Sequence, residues 1–156
     1  MSAPAPPLIL PLDHLVLRGA DQAVALVLRD GPLNYKDLRD RVARLAGWLE
    51  SQVPVKGERV ASWAAKGELT CLLPLAAARA GLVHVPINPL LKHAQVAHIL
   101  ADSGARMLIG TPARLAGLAQ GDVPANCAVL GEGEALDAAK TALPMAGIET
   151  SADCMS

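Results

Sequence analysis

His84, His93 and His98 are the side chains best suited to hold a metal or move a proton in this chain. A metal needs converging ligands, and His93 and His98 stand five residues apart, a spacing that points them in different directions from a helix. Each of the three is therefore read as a packed or solvated histidine. Cys71, Cys127 and Cys154 are widely spaced, with no Cys-x-x-Cys, and their odd number argues against a closed disulfide framework. They are expected to be thiols in a reducing cytosol. Cys71 lies among leucines with no base beside it in sequence, so it is expected to be a small core residue and not a nucleophile. Lys66-Gly67-Glu68 could imitate an anion-binding turn at a helix start, but is read as a polar turn with no ligand role. Gly131-Glu132-Gly133 follows a strand but offers only two glycines, and is expected to be a loop. There is no Gly-x-x-x-x-Gly-Lys and no Gly-x-Gly-x-x-Gly. Asn88, between Pro86 and Pro89, suits a turn that its own side chain braces, and Trp48 and Trp63 are read as packing residues. No residue is assigned a catalytic, cofactor-binding or metal-ligating role.

The elements that position these residues are organised around 68–89. Leu69, Leu72, Leu73, Ala76, Ala77 and Ala80 recur at helical spacing. Gly81 stands where a left-handed cap is wanted. Leu82-Val-His-Val-Pro is too short and too rich in β-formers to prolong the helix, and Pro86 and Pro89 end the strand. Upstream, Leu8–Arg18 is expected to be partly helical. Ala23–Leu28 and Leu33-Asn34 flank the Asp30-Gly31-Pro32 turn as a hairpin. Asn34 is read as the N-cap of a helix to about Ser51, with Leu38, Val42, Leu45, Ala46 and Leu49 inward. A strand over 59–65 then makes a β-α-β unit with parallel strands. A helix over 92–101, a strand over 105–109, a short helix from Thr111-Pro112 to about Ala119, a strand over 126–130 and a helix over 134–141 complete the series. The fold class is α/β: an N-terminal hairpin and helix, then a Rossmann-like open, mainly parallel sheet with helices on both faces. Residues 1–9 are expected to be a disordered leader, 10–142 one partial domain, and 143–156 an irregular tail.

Composition narrows the function classes. The chain has 156 residues, 52% hydrophobic and 19% charged, which is the balance of a globular domain. Phe is absent, so the core is built from Leu, Val, Ile and Ala. A net charge of −1 and no basic run give no footprint for nucleic acid. The longest apolar stretch, 69–87, is interrupted by Pro74, Arg79 and His84, which argues against a membrane span.

Two segments carry a family resemblance. Leu33-Asn34-Tyr35-Lys36-Asp37-Leu38 is similar to the Leu-[Thr/Ser]-Tyr-x-Glu-Leu of the AMP-forming acyl-CoA synthetases, adenylation domains and luciferases, the ANL superfamily. Ala80-Gly81-Leu82-Val83-His84-Val85-Pro86-Ile87-Asn88-Pro89 resembles its Ala-Gly-x-x-x-x-Pro-Leu-[Asn/Asp]-Pro, and Gln95–Ser103 resembles the helix that usually follows. The wording from Pro86 to Leu100 looks most like the acyl-CoA ligases associated with exosortase gene sets.

The resemblance implies a reaction in which a carboxylate attacks ATP to give an acyl-adenylate and pyrophosphate, after which a thiol, usually coenzyme A, displaces AMP. It implies ATP, magnesium and coenzyme A as the family's cofactors. It also implies a Ser/Thr/Gly-rich phosphate loop with lysine, an acidic residue for the ribose and a lysine from a C-terminal domain, none of which these residues match. The chain is therefore expected to be a truncated, inert N-terminal piece of such a ligase, cytoplasmic and binding no cofactor or carboxylate of its own. An uncovered sheet edge and apolar helix faces predict self-association. The alternatives are a noncatalytic docking module and a small nucleotide-binding α/β protein.

Overall fold

A computed structural model of the chain describes residues 1–7 and 9–147. Residues 1–7 carry no helix or strand. Of the leader, Leu8 lies outside the described residues, as do 148–156 of the tail. A 3-10 helix, Leu12–Leu17, leads into an antiparallel hairpin of β1, Val24–Leu28, and β2, Gly31–Asn34. Gly31 turns it with φ 126°, a region that L side chains avoid.

Asn34 ends the hairpin and begins α1, Tyr35–Gln52. Its Oδ1 accepts the Asp37 N–H at 2.8 Å, satisfying one of the orphan donors of the first turn. Leu38, Val42, Leu45, Ala46 and Leu49 are all buried, and Trp48 joins them.

The next unit is β3, Arg59–Trp63, then α2, Glu68–Arg79, then β4, Val83–Pro86, which is parallel to β3. Strand β3 stops two residues short of the expected Ala65, because its partners run out: Ser62 pairs with Pro86, and Trp63 with Gly110. Helix α2 closes on Gly81, whose φ is 73°. The Leu82 N–H reaches Ala77 O at 2.8 Å and the Gly81 N–H reaches Ala78 O at 3.1 Å. This crossed pair is the Schellman arrangement, and it satisfies carbonyls that the helix end leaves open.

Helix α3, His93–Ser103, stops at Gly104, which has φ 63°. Then come β5, Met107–Gly110, helix α4, Pro112–Ala116, strand β6, Ala128–Gly131, and α5, Glu132–Lys140. Thr111 precedes Pro112, but its hydroxyl accepts from Arg114 Nη1 at 2.9 Å and makes no cap bond. The four parallel strands lie in the order β4-β3-β5-β6.

Side chains alternate across the sheet. Val60, Met107 and Ile109 face one core, built with α1, α2 and α5. Ala61, Trp63 and Leu108 face the other, where Val96 and Leu100 of α3 cover them. Helices thus cover both faces, the arrangement expected of parallel strands.

Two expectations need correction. Gly131-Glu132-Gly133 is not a loop: Gly131 ends β6 and caps α5, and Glu132 and Gly133 are already helical. The strand passes directly into a helix whose first turn carries Glu132 and Glu134, charges that favour that end of the helix dipole. Cys71 is exposed and not a core residue. At roughly 100° per residue it sits about 200° from both Leu69 and Leu73, the two leucines that define the inward stripe.

Candidate functional site

The C-terminal ends of β3 and β4 open onto a groove of about 810 Å³, within the range of small-molecule clefts. Its floor is Ser62 and His84, its α2 wall is Pro74 and Ala78, and Leu12 of the 3-10 helix and Pro86 close its ends. The position is set by the sheet: β4 is an edge strand, so nothing in the described fold continues the sheet beyond it.

Ser62 Oγ and His84 Nε2 share a hydrogen bond of 2.8 Å, made possible because Val60 pairs with His84 and Ser62 lies one pleat further on the same face. Burial pushes the His84 imidazole below its ordinary pKa, so it is neutral at pH 7. Hydroxyl and imidazole can each donate or accept in this bond, according to the tautomer, so both are partnered. His84 is thus a packed, satisfied histidine. Sequence reading did not single out Ser62, which is buried in β3.

The other histidines do not converge on it. His93 Nδ1 lies 3.1 Å from Asp122 Oδ2 at the surface, and His98 is exposed. Among the described residues no group of three or more His, Cys, Asp or Glu side chains is placed to hold a metal ion.

Lys66 lies on the groove's rim, at the start of α2. The Gly67 N–H is already given to Thr70 Oγ1 at 2.9 Å. Glu68, the first helical residue, is paired with Arg41 of α1. A carboxylate thus occupies the end of the helix where an anion would otherwise sit. Asn88 braces the exit loop: its Oδ1 accepts the Leu90 N–H at 2.9 Å. Trp48 and Trp63 are both buried.

A second cleft, about 460 Å³, lies between the hairpin, α1, α2 and α5. Four of its charges pair within it, Arg41 with Glu68 and Arg44 with Asp40, and Lys140 pairs with Asp137. No helix among the described residues is long and apolar enough to cross a membrane.

A parallel four-stranded sheet with helices on both faces, fronted by a hairpin and a long helix, defines an open α/β domain. The chain belongs to the AMP-binding enzyme family, whose profile matches residues 15–151. Feruloyl-CoA synthase of an Amycolatopsis species is 41% identical over 80 residues, covering 51% of this chain and 16% of that enzyme. N-(5-amino-5-carboxypentanoyl)-L-cysteinyl-D-valine synthase of Amycolatopsis lactamdurans is 38% identical over 104 residues, 64% of this chain and 3% of the synthase. Among solved structures, ATP-bound MatB of Rhodopseudomonas palustris superposes with a TM-score of 0.78 at 25% identity, over 92% of this chain and 30% of that one. A benzoate CoA ligase of Burkholderia xenovorans gives 0.80 at 21% identity, a likeness of fold, over 92% and 31%. The chain therefore spans less than a fifth of these two curated relatives and about a third of these two solved structures.

Proposed function

We propose that these 156 residues are the opening, scaffolding part of the N-terminal domain of an AMP-forming acyl-CoA ligase, and that by themselves they do not adenylate a carboxylate. The family profile over residues 15–151 carries the first half of this reading. The second half rests on the starts of α2 and α5. Glu68 stands at one and Glu132 and Glu134 at the other, so both present carboxylates where a triphosphate needs positive potential. With carboxylates at both helix starts, the residues present do not fit ATP. A cytoplasmic setting and a fatty or aryl carboxylate for the complete enzyme, including the exosortase-associated subgroup, belong to the same proposal. The free thiols of Cys71 and Cys127 suit that setting.

The test is carboxylate-dependent ATP–pyrophosphate exchange on the purified chain, with ATP and AMP calorimetry beside it. No exchange and no heat are expected; exchange above background overturns the inert reading.

A second reading, a docking module that self-associates, is favoured by the edge strand. Val83 on β4 and Leu90 in the loop beyond it are exposed, at 47% and 85%. Open edges with exposed apolar residues invite pairing. Sedimentation as a clean monomer at high concentration, with no binding of a hydrophobic dye, rejects it.

A further inference from the structure

Residues 142–147 run across the outer side of α1 without forming a helix or strand. Arg44 Nη1 donates to Ala142 O at 3.0 Å, and the Met145 N–H donates to Ala43 O at 2.9 Å. Between these bonds the segment presses its backbone onto Gly47: a Cβ there would stand 2.0 Å from Leu143 O. No other amino acid fits that contact without moving the chain. Past it, Arg79 reaches two ways. Its Nε bonds Asp13 Oδ2 at 3.1 Å and its Nη1 bonds Met145 O at 3.5 Å. A Cβ added at Gly147 would lie 3.7 Å from Asp13 Oδ2 and 3.8 Å from Arg79 Nη2, so the segment passes close over the pair.

Asp13 belongs to the 3-10 helix, and its neighbour Leu12 walls the groove beside His84. We propose that residues 142–147 are a clasp: seated on Gly47, they keep the Arg79–Asp13 pair dry and hold the 3-10 helix against α2, which keeps the groove's Leu12 wall in place. The physical link is the dielectric around the pair. Covered, the two charges attract strongly; with the clasp lifted, water reaches Arg79 and the pair falls to the small value of an exposed ion pair. The 3-10 helix keeps the packing of Val16 and the Arg39 bond to Val16 O at 3.1 Å, but loses the strongest part of its tie to α2 and opens more often. The groove at the β4 edge is thus coupled to a segment on the far side of α1. This inference does not depend on the adenylating reading.

Hydrogen exchange read by mass spectrometry on the full chain tests it. In Gly47→Ala, exchange is expected to rise about tenfold over 142–147, the effect of losing hydrogen bonds to a charged donor and to the backbone. A rise of the same order is expected at the His14 and Arg18 amides, which bond Pro11 O and Leu15 O in the 3-10 helix. Gly133→Ala, where an added Cβ meets nothing within 4 Å, is the control and speeds exchange in neither segment. Arg44→Ala loosens the clasp without adding an atom and gives the same pattern where Gly47→Ala fails to fold. Faster exchange in the clasp with an unchanged 3-10 helix overturns the coupling, and so does no change in either.

Discussion

Asp13 and Arg79, 66 residues apart in the chain, meet in the interior with Oδ2 3.1 Å from Nε, the carboxylate fully buried and the guanidinium 7% exposed. The contact joins the 3-10 helix to the last turn of α2, and the Arg79 charge also sits where the α2 dipole favours a cation.

Removing one partner of this pair should cost far more than removing both. Asp13→Asn leaves the Arg79 cation buried without its counter-charge, and a loss of about 3–5 kcal/mol is expected. Asp13→Leu combined with Arg79→Met replaces two charges by apolar groups and is expected to lose much less. Urea midpoints of the two variants decide it; equal losses contradict the burial argument.

His84 predicts acid sensitivity. Its folded-state pKa is held below the ordinary 6.5 by burial, so the unfolded chain takes up the proton first. The full contribution to stability is present above about pH 6.5 and is lost as pH falls from there through the lowered folded value. The urea midpoint should therefore drop between pH 7 and pH 5, and the drop should shrink in His84→Gln. A pH profile identical in parent and variant rejects the assignment.

The thiols differ in access. In a Cys154→Ser background, Cys71 should react with a thiol reagent in the folded protein. Cys127 should wait for unfolding, because it is buried and its pKa is raised by desolvation. Cys71→Ser is expected to change stability by less than about 0.5 kcal/mol, as for other surface substitutions. Two fast-reacting thiols contradict the burial of Cys127.

The glycines separate by φ. Gly81→Ala forces a left-handed residue at the α2 cap, where φ is 73°, and should destabilise by about 1–2 kcal/mol. Gly133→Ala, inside α5 with open space around it, should stabilise by up to about 1 kcal/mol. Thermal melts of the two variants test the contrast, and a stabilised Gly81→Ala sinks it.

Most of the local structure is legible in the residues themselves. Asn34 announces α1 because its side chain bonds an amide three residues away, a contact that needs no tertiary partner. Gly81 and Gly104 stop their helices for reasons of φ alone. The inward stripes of α1 and α2 follow from helical spacing. The two misreadings, at Cys71 and at Gly131–Gly133, come from weighing composition over phase. Cys71 has leucines beside it in sequence yet faces away from them, and two glycines that suggest a loop are carried into a helix that follows β6 without a gap.

Alone, the amino-acid sequence determined the alternation of strand and helix, the caps and the side of each long helix that turns inward, because these depend on interactions within about one helical turn. The tertiary structure alone decided the strand order β4-β3-β5-β6, the Ser62–His84 contact, the Asp13–Arg79 pair and the seating of Leu143 on Gly47. Each of those joins residues at least about twenty positions apart. Their geometry is fixed only when the two cores close on the sheet and bring distant backbone into contact.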